Sequence, residues 1–244
     1  MNNSELQFGC EFELYVGEHN EEELKEELNK LCNNELHINL AEDSLDNIDS
    51  LMNYKKDSSL VYPSGREIST PICSYNDLKQ FIIGIIGLVQ KFGKTNNYTG
   101  LHIHMSFIDK SGNIDFFRFM LLCEYHNLLD NWGDRNKYSM NIMNVLSYLD
   151  REEAEKIKDR KGRVWSLEKR DNHYVEIRTM GGDKYEDKQE QIFTELDKFI
   201  DIFKESSLKP TEDYLQILTK HQELLANCDP KKREEFLIAI AEFC

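Results

Sequence analysis

At 244 residues, with 40% hydrophobic and 31% charged side chains, the chain fits one large globular domain or two small ones. A formal net charge of −15 argues against a nucleic-acid surface, which is usually basic, but suits the binding of divalent cations by carboxylates. The opening MNNSELQFGC lacks the basic start and apolar core of a secretion signal, and the longest apolar run, FIIGIIGLV, is far too short to cross a membrane. A cytoplasmic protein with no nucleic-acid or membrane partner is therefore expected. The cysteines at 10, 32, 73, 123, 228 and 244 form no CxxC pair, so reduced thiols are expected rather than a zinc ribbon or a dithiol centre.

Residues 5–16, ELQFGCEFELYV, alternate in polarity. Phe8, Cys10, Phe12, Leu14 and Val16 share one face; Glu11, Glu13 and Tyr15 share the other, as in a half-buried strand. An acidic helix is predicted over 20–32, and its EEELKEEL run reads as a solvated face. Residues 34–53 lack a clean period and are predicted helical in part. DSSLVYPSGREISTPI, 57–72, reads as a broken strand or hairpin turning at Pro63-Ser64-Gly65. Residues 76–92 read as a helix buried on most sides, with Gly84 and Gly87 allowing close packing. TGLHIHMSF, 99–107, is the next strand, followed by a KSGN turn and helices over 115–130 and 139–158. GRVWSLEKR and HYVEIRTM form two late strands joined at Asp171-Asn172. From about 186 the chain is predicted helical, with Pro210 and Pro230 separating the last helices. No repeat, linker or composition shift marks a boundary. The expectation is one α+β domain over 1–244, with a mainly antiparallel sheet and helices on one side.

Side-chain parity sharpens this picture, because successive strand residues point to opposite faces. Glu11 and Glu13 point together. Glu67 and Ser69 oppose Ile68. His102, His104 and Ser106 oppose Leu101, Ile103, Met105 and Phe107. Tyr174, Glu176 and Arg178 oppose Val175 and Ile177. One face of an antiparallel sheet often meets water, but glutamate is depleted in strands. A polar face holding these glutamates, histidines and an arginine favours a site. Neighbouring carboxylates repel unless a cation lies between them. Imidazole adds a nitrogen ligand or a phosphate donor, and arginine makes bidentate contact with phosphate or carboxylate. A carboxylate-rich set of this kind favours Mg²⁺ or Mn²⁺ over structural zinc, and points to a metal–phosphate site.

Other groups read more simply. His126 and His173 read as structural, and Cys10, Cys73 and Cys123 as core thiols. Lys161, Arg163 and Lys169 are either surface charges or contacts to ATP phosphates. Gly181-Gly182 is either a plain turn or one that brings backbone N–H groups to a phosphate.

The segments GCEFEL, DSSL…GREISTP, TGLHIHMSF, WGDRNKY and YVEIRTMGG, in that order across residues 9–182, resemble the amidoligase family. That family belongs to the glutamine synthetase and glutamate–cysteine ligase superfamily of carboxylate–amine ligases. Ser58, Thr70 and Ile177 depart from its usual Gly, Ser and Phe, and no charged group is lost. The resemblance implies a glutamine synthetase-like catalytic fold: a curved, mainly antiparallel sheet with helices on its convex face and the site on its concave face. It implies ATP and Mg²⁺ or Mn²⁺ as cofactors. It also implies amide formation through an acyl phosphate, on a glutamyl, peptide or small-amine substrate. Carried over by motif, Glu11, Glu13, Glu67, His104 and Glu176 are metal ligands. Arg135, His102, His104 and Arg178 contact nucleotide or phosphate. Arg178, Asp57 and Glu67 are catalytic, with Asp57 binding or deprotonating the amine. The same residues also suit a metal-dependent hydrolase, or a binding protein that keeps the fold without the chemistry.

Overall fold

The computed structural model describes residues 5–42, 51–108, 114, 119, 122–123, 126–129, 131–132, 167–171 and 173–207. Within them the chain forms an open, mostly antiparallel α+β sheet. Strands β1 (Leu6–Val16), β2 (Asn39–Glu42), β3 (Leu51–Lys56), β4 (Gly65–Ser69), β5 (Gly93–Lys94), β6 (Leu101–Phe107), β7 (Leu167–Asp171) and β8 (Tyr174–Ile177) combine with helices α1 (Glu18–Lys30), α2 (Tyr75–Phe92) and α3 (Gln189–Ser206). The strand order is β2-β3-β4-β1-β6-β8-β7, with β5 also paired to β1. Among the described strands, only β2 and β3 run parallel.

The alternation in β1 makes it the middle of the sheet. Its even residues Phe8, Cys10, Phe12 and Leu14 are almost fully buried and face one core with Ile68 of β4, Leu101, Ile103 and Met105 of β6, and Val175 and Ile177 of β8. The helices cover this apolar face. In α2, the Asp77 backbone N–H donates to the Ser74 side chain, capping the helix start, and Leu78, Phe81, Ile82, Ile85, Ile86 and Val89 form the buried stripe. Ile83 is largely exposed, so α2 is buried on one side rather than most. A Cβ on Gly84 would lie 2.7 Å from Leu31 Cδ1, so this glycine does admit close packing; Gly87 faces open space. Helix α3 adds Ile192, Leu196, Phe199 and Phe203, the last with its ring 5.1 Å from Phe107. Tyr75 donates to Asp197 and joins α2 to α3.

Of the stretch predicted to be partly helical, 34–53, the described residues hold the end of a π-helical turn, Leu31–Leu36, then β2 and the start of β3; residues 43–50 lie outside them. Met52, Asn53 and Tyr54 are all buried and Asn53 pairs across from Ser69, so the strand is too short and too uniformly covered for its parity to be read beforehand. The KSGN turn, the 139–158 helix, Arg135, Lys161, Arg163, Cys228, Cys244, Pro210 and Pro230 lie outside the described residues.

A carboxylate and histidine floor as candidate metal centre

Register turns the parity pattern into a site. Glu11 of β1 pairs across from Ser69 of β4 and His102 of β6; Glu13 pairs across from Glu67. His104 stands between Gly9 of β1 and Glu176 of β8. The polar side chains therefore project from one face of the central strands, as the sequence predicts.

They do not all play one part. Glu11, His104 and Glu176 each place a ligand atom within 4.8 Å of the other two. Ligands around one Mg²⁺ or Mn²⁺, at metal distances near 2.1 Å, lie roughly 3 to 4 Å apart, so these three fit a single cation with little movement. His104 Nε2 lies 3.4 Å from Glu11 Oε1 and is buried without a hydrogen-bond partner, which leaves it available as a ligand. Arg178 follows β8 directly and puts a guanidinium nitrogen 3.2 Å from Glu176 Oε1.

His102 differs from its neighbour. It is only 3% exposed, against 19% for His104, and sits among three carboxylates. Its Nδ1 is 3.1 Å from Glu11 and 3.5 Å from Glu176, and its Nε2 is 3.7 Å from Glu13. Burial opposes charge on this imidazole, but Glu13, the hydrogen bond to Glu11 and Glu176 outweigh it and raise its pKa despite Arg178. His102 thus ties the carboxylates together beneath the surface. For Glu11, burial favours the neutral acid, yet the neighbouring imidazoles of His102 and His104 hold the carboxyl far below its ordinary range.

Glu13 and Glu67 are engaged elsewhere. Glu13 Oε2 accepts from the Gly100 backbone N–H at 2.6 Å. Glu67 Oε1 accepts from Ser69 at 2.6 Å and from Lys55 at 2.8 Å. The pair acts unequally on its members. Burial works against Lys55's charge, but Glu67 more than offsets it. For Glu67, burial and repulsion from Glu11 outweigh Lys55 and Ser69, so its pKa rises. Neither Glu13 nor Glu67 belongs to the close three-ligand group. Asp57 also lies apart from that group: its Oδ1 accepts from the Ser59 backbone N–H at 2.7 Å, bracing the turn that leads to Gly65.

Sequence reasoning missed Lys55, whose strand carries no extended alternation, and Tyr174 as a partner of His104. His126 and His173 lie in turns outside the cluster. Burial pushes the Cys73 thiol up to about 12 and Cys32 to about 11, unsuited to nucleophilic chemistry near neutrality.

These shifts carry a stability prediction. The raised His102 pKa contributes stability in full below the ordinary imidazole value of 6.5 and loses it as pH rises through the folded value. Glu67, also raised, loses its contribution in the same direction from 4.5 upward. The lowered Glu11 pKa contributes above 4.5 and is lost on acidification. Thermal melts in chelator are therefore expected to show stability falling as pH rises above 6.5, and saturating Mg²⁺ is expected to flatten that fall by replacing the proton. A melting temperature that climbs steadily into alkali would contradict this reading. No protein-family model and no curated protein matches the chain.

Proposed function

We propose that this chain is an ATP-dependent carboxylate–amine ligase with a glutamine synthetase-like fold, forming an amide through an acyl phosphate. The observation that carries the reading is the convergence of Glu11, His104 and Glu176 within reach of one cation, with Arg178 against Glu176. A carboxylate becomes a useful electrophile only when one oxygen carries a phosphoryl leaving group. In the first step the substrate carboxylate takes the γ-phosphoryl of ATP and ADP departs. In the second, the amine nitrogen bonds to the acyl carbon, phosphate leaves with the bonding electron pair, and the amine gives up a proton.

A divalent cation held by Glu11, His104 and Glu176 would neutralise phosphate charge during this transfer. Arg178 supplies a fixed positive charge at the rim for the transferring phosphoryl group. His102 orients Glu11 and Glu176 from below. Glu67, whose basicity is raised by burial and by Glu11, suits the acceptor of the amine proton, with Lys55 and Ser69 holding its carboxylate. Asp57 and Arg135 keep the roles that the family resemblance implies for amine and nucleotide.

The test is ADP release by the purified chain with Mg²⁺ and ATP across paired carboxylates and amines, with mass spectrometry for the amide. ADP release that needs both substrates, yields the amide and disappears in Glu176→Gln is expected. Turnover that needs the metal but no nucleotide would instead establish the hydrolase. Calorimetry showing no binding of Mg²⁺ and ATP would overturn the ligase.

A further inference from the structure

We propose that Tyr174 is a positioning residue that sets which nitrogen of His104 faces the cation site. The inference rests on His104 being a cation ligand, and its experiment separates the two.

Tyr174 opens β8, two residues before Glu176 and on the same face. Its hydroxyl oxygen is 2.5 Å from His104 Nδ1, and the two rings are 5.8 Å apart, tilted by 39°. The other imidazole nitrogen points toward the carboxylates: Nε2 is 3.4 Å from Glu11 Oε1, yet it makes no hydrogen bond. A neutral imidazole has one N–H and one lone pair, so the partner of Nδ1 decides what Nε2 offers. If the phenol accepts from Nδ1–H, the Nε2 lone pair faces Glu11 and Glu176 and is ready to bind a cation. If the phenol donates instead, Nε2 carries the hydrogen and is blocked as a ligand. A cation in the site would complete the first arrangement, with the phenol oxygen accepting from Nδ1–H and the metal taking the Nε2 lone pair. This arrangement also explains why a tyrosine stands where the strand's polar face leaves the carboxylate cluster. Gly9, across from His104 on β1, places no side chain against that flank of the ring.

Tyr174→Phe removes the hydroxyl and little else. Calorimetric titration with Mn²⁺ alone is expected to show affinity falling roughly 10- to 100-fold, as for loss of such partners at other metal-binding histidines. In a His104→Gln background the same substitution is expected to change affinity less than twofold, roughly, because the ligand it orients is gone. A purely structural tyrosine would weaken binding equally in both backgrounds. Long-range ¹⁵N–¹H correlation spectra of the metal-free protein provide a second reading, with the His104 signals identified by their loss in His104→Gln. At a pH where the imidazole is neutral, they are expected to show the Nδ1–H form in wild type and a shift toward Nε2–H in Tyr174→Phe.

Wild-type affinity in Tyr174→Phe, or an Nε2–H form in the wild-type protein, overturns the assignment. If Mn²⁺ binds the wild type and His104→Gln equally well, the ligand role of His104 falls, and the assignment of Tyr174 falls with it.

Discussion

Arg178→Ala is expected to lower turnover of the proposed ligase reaction by about three orders of magnitude, in line with arginines that stabilise phosphoryl transfer. Cation affinity should be unchanged or slightly higher. The sign follows from placement: the guanidinium lies 3.2 Å from Glu176 Oε1, so removing it makes the cluster more negative. Arg178→Lys keeps the charge but loses the planar fork, and is expected to recover only part of the rate. Glu11→Gln provides the contrast. Glu11 meets His102 at 3.1 Å and His104 at 3.4 Å and is one of the three converging ligands. Its loss should abolish cation binding and turnover together. Mn²⁺ titration and ADP release, measured on both variants, separate these effects. An Arg178→Ala protein that turns over like wild type would remove the phosphoryl role from the mechanism.

Gly181→Ala is expected to destabilise the fold by about 3 kcal/mol. Gly181 has φ +118°, a conformation that side chains rarely tolerate, and an added Cβ would lie 2.8 Å from both Gly100 Cα and Leu101 N and 2.9 Å from Thr99 O. All three are backbone atoms of the segment that leads into β6. The Gly182 N–H donates to Thr99 O at 2.8 Å, and Leu101 N–H donates to Met180 O at 3.1 Å, so the clash would part these strands. Gly100 would move with them, taking the N–H that holds Glu13 Oε2 at 2.6 Å. Gly87→Ala is the control: it sits inside α2 with nothing within 4 Å of the new Cβ, and should stabilise by about 0.5 to 1 kcal/mol. Chemical denaturation of both variants tests the pair. Equal stability of Gly181→Ala and wild type would show that the tight approach is not maintained in solution.

Much of this site was legible from residue order. A strand's period of two puts Glu11 with Glu13 and His102 with His104 whatever lies around them, so the shared face could be derived before any fold was known. What parity cannot supply is the partner across the gap. Lys55 meets Glu67 because β3 pairs with β4, and neither that pairing nor its register is local in sequence. The same applies to the two histidines, which look equivalent in LHIHM. They differ in burial and in cross-strand partner: His102 pairs across from Glu11, whereas His104 pairs across from Gly9 and Glu176. Helix α2 was easier to place, since its cap and apolar stripe are contained in one short segment. The strands β2 and β3 were not, because four and six residues give too short a pattern to distinguish from helix.

The alternating faces of β1 bear on how such a protein could acquire new chemistry. Phe8, Phe12 and Leu14 are committed to the core, while Glu11, one step away, is still partly exposed. Folding and chemistry are therefore encoded by interleaved residues of the same strand, each set open to change while the other is held. The two demands meet in single residues at His102 and Glu176, polar groups sealed almost entirely inside the protein. Those positions would constrain divergence most: a new reaction on this sheet would be reached more readily by altering the rim than by rewriting its foundation.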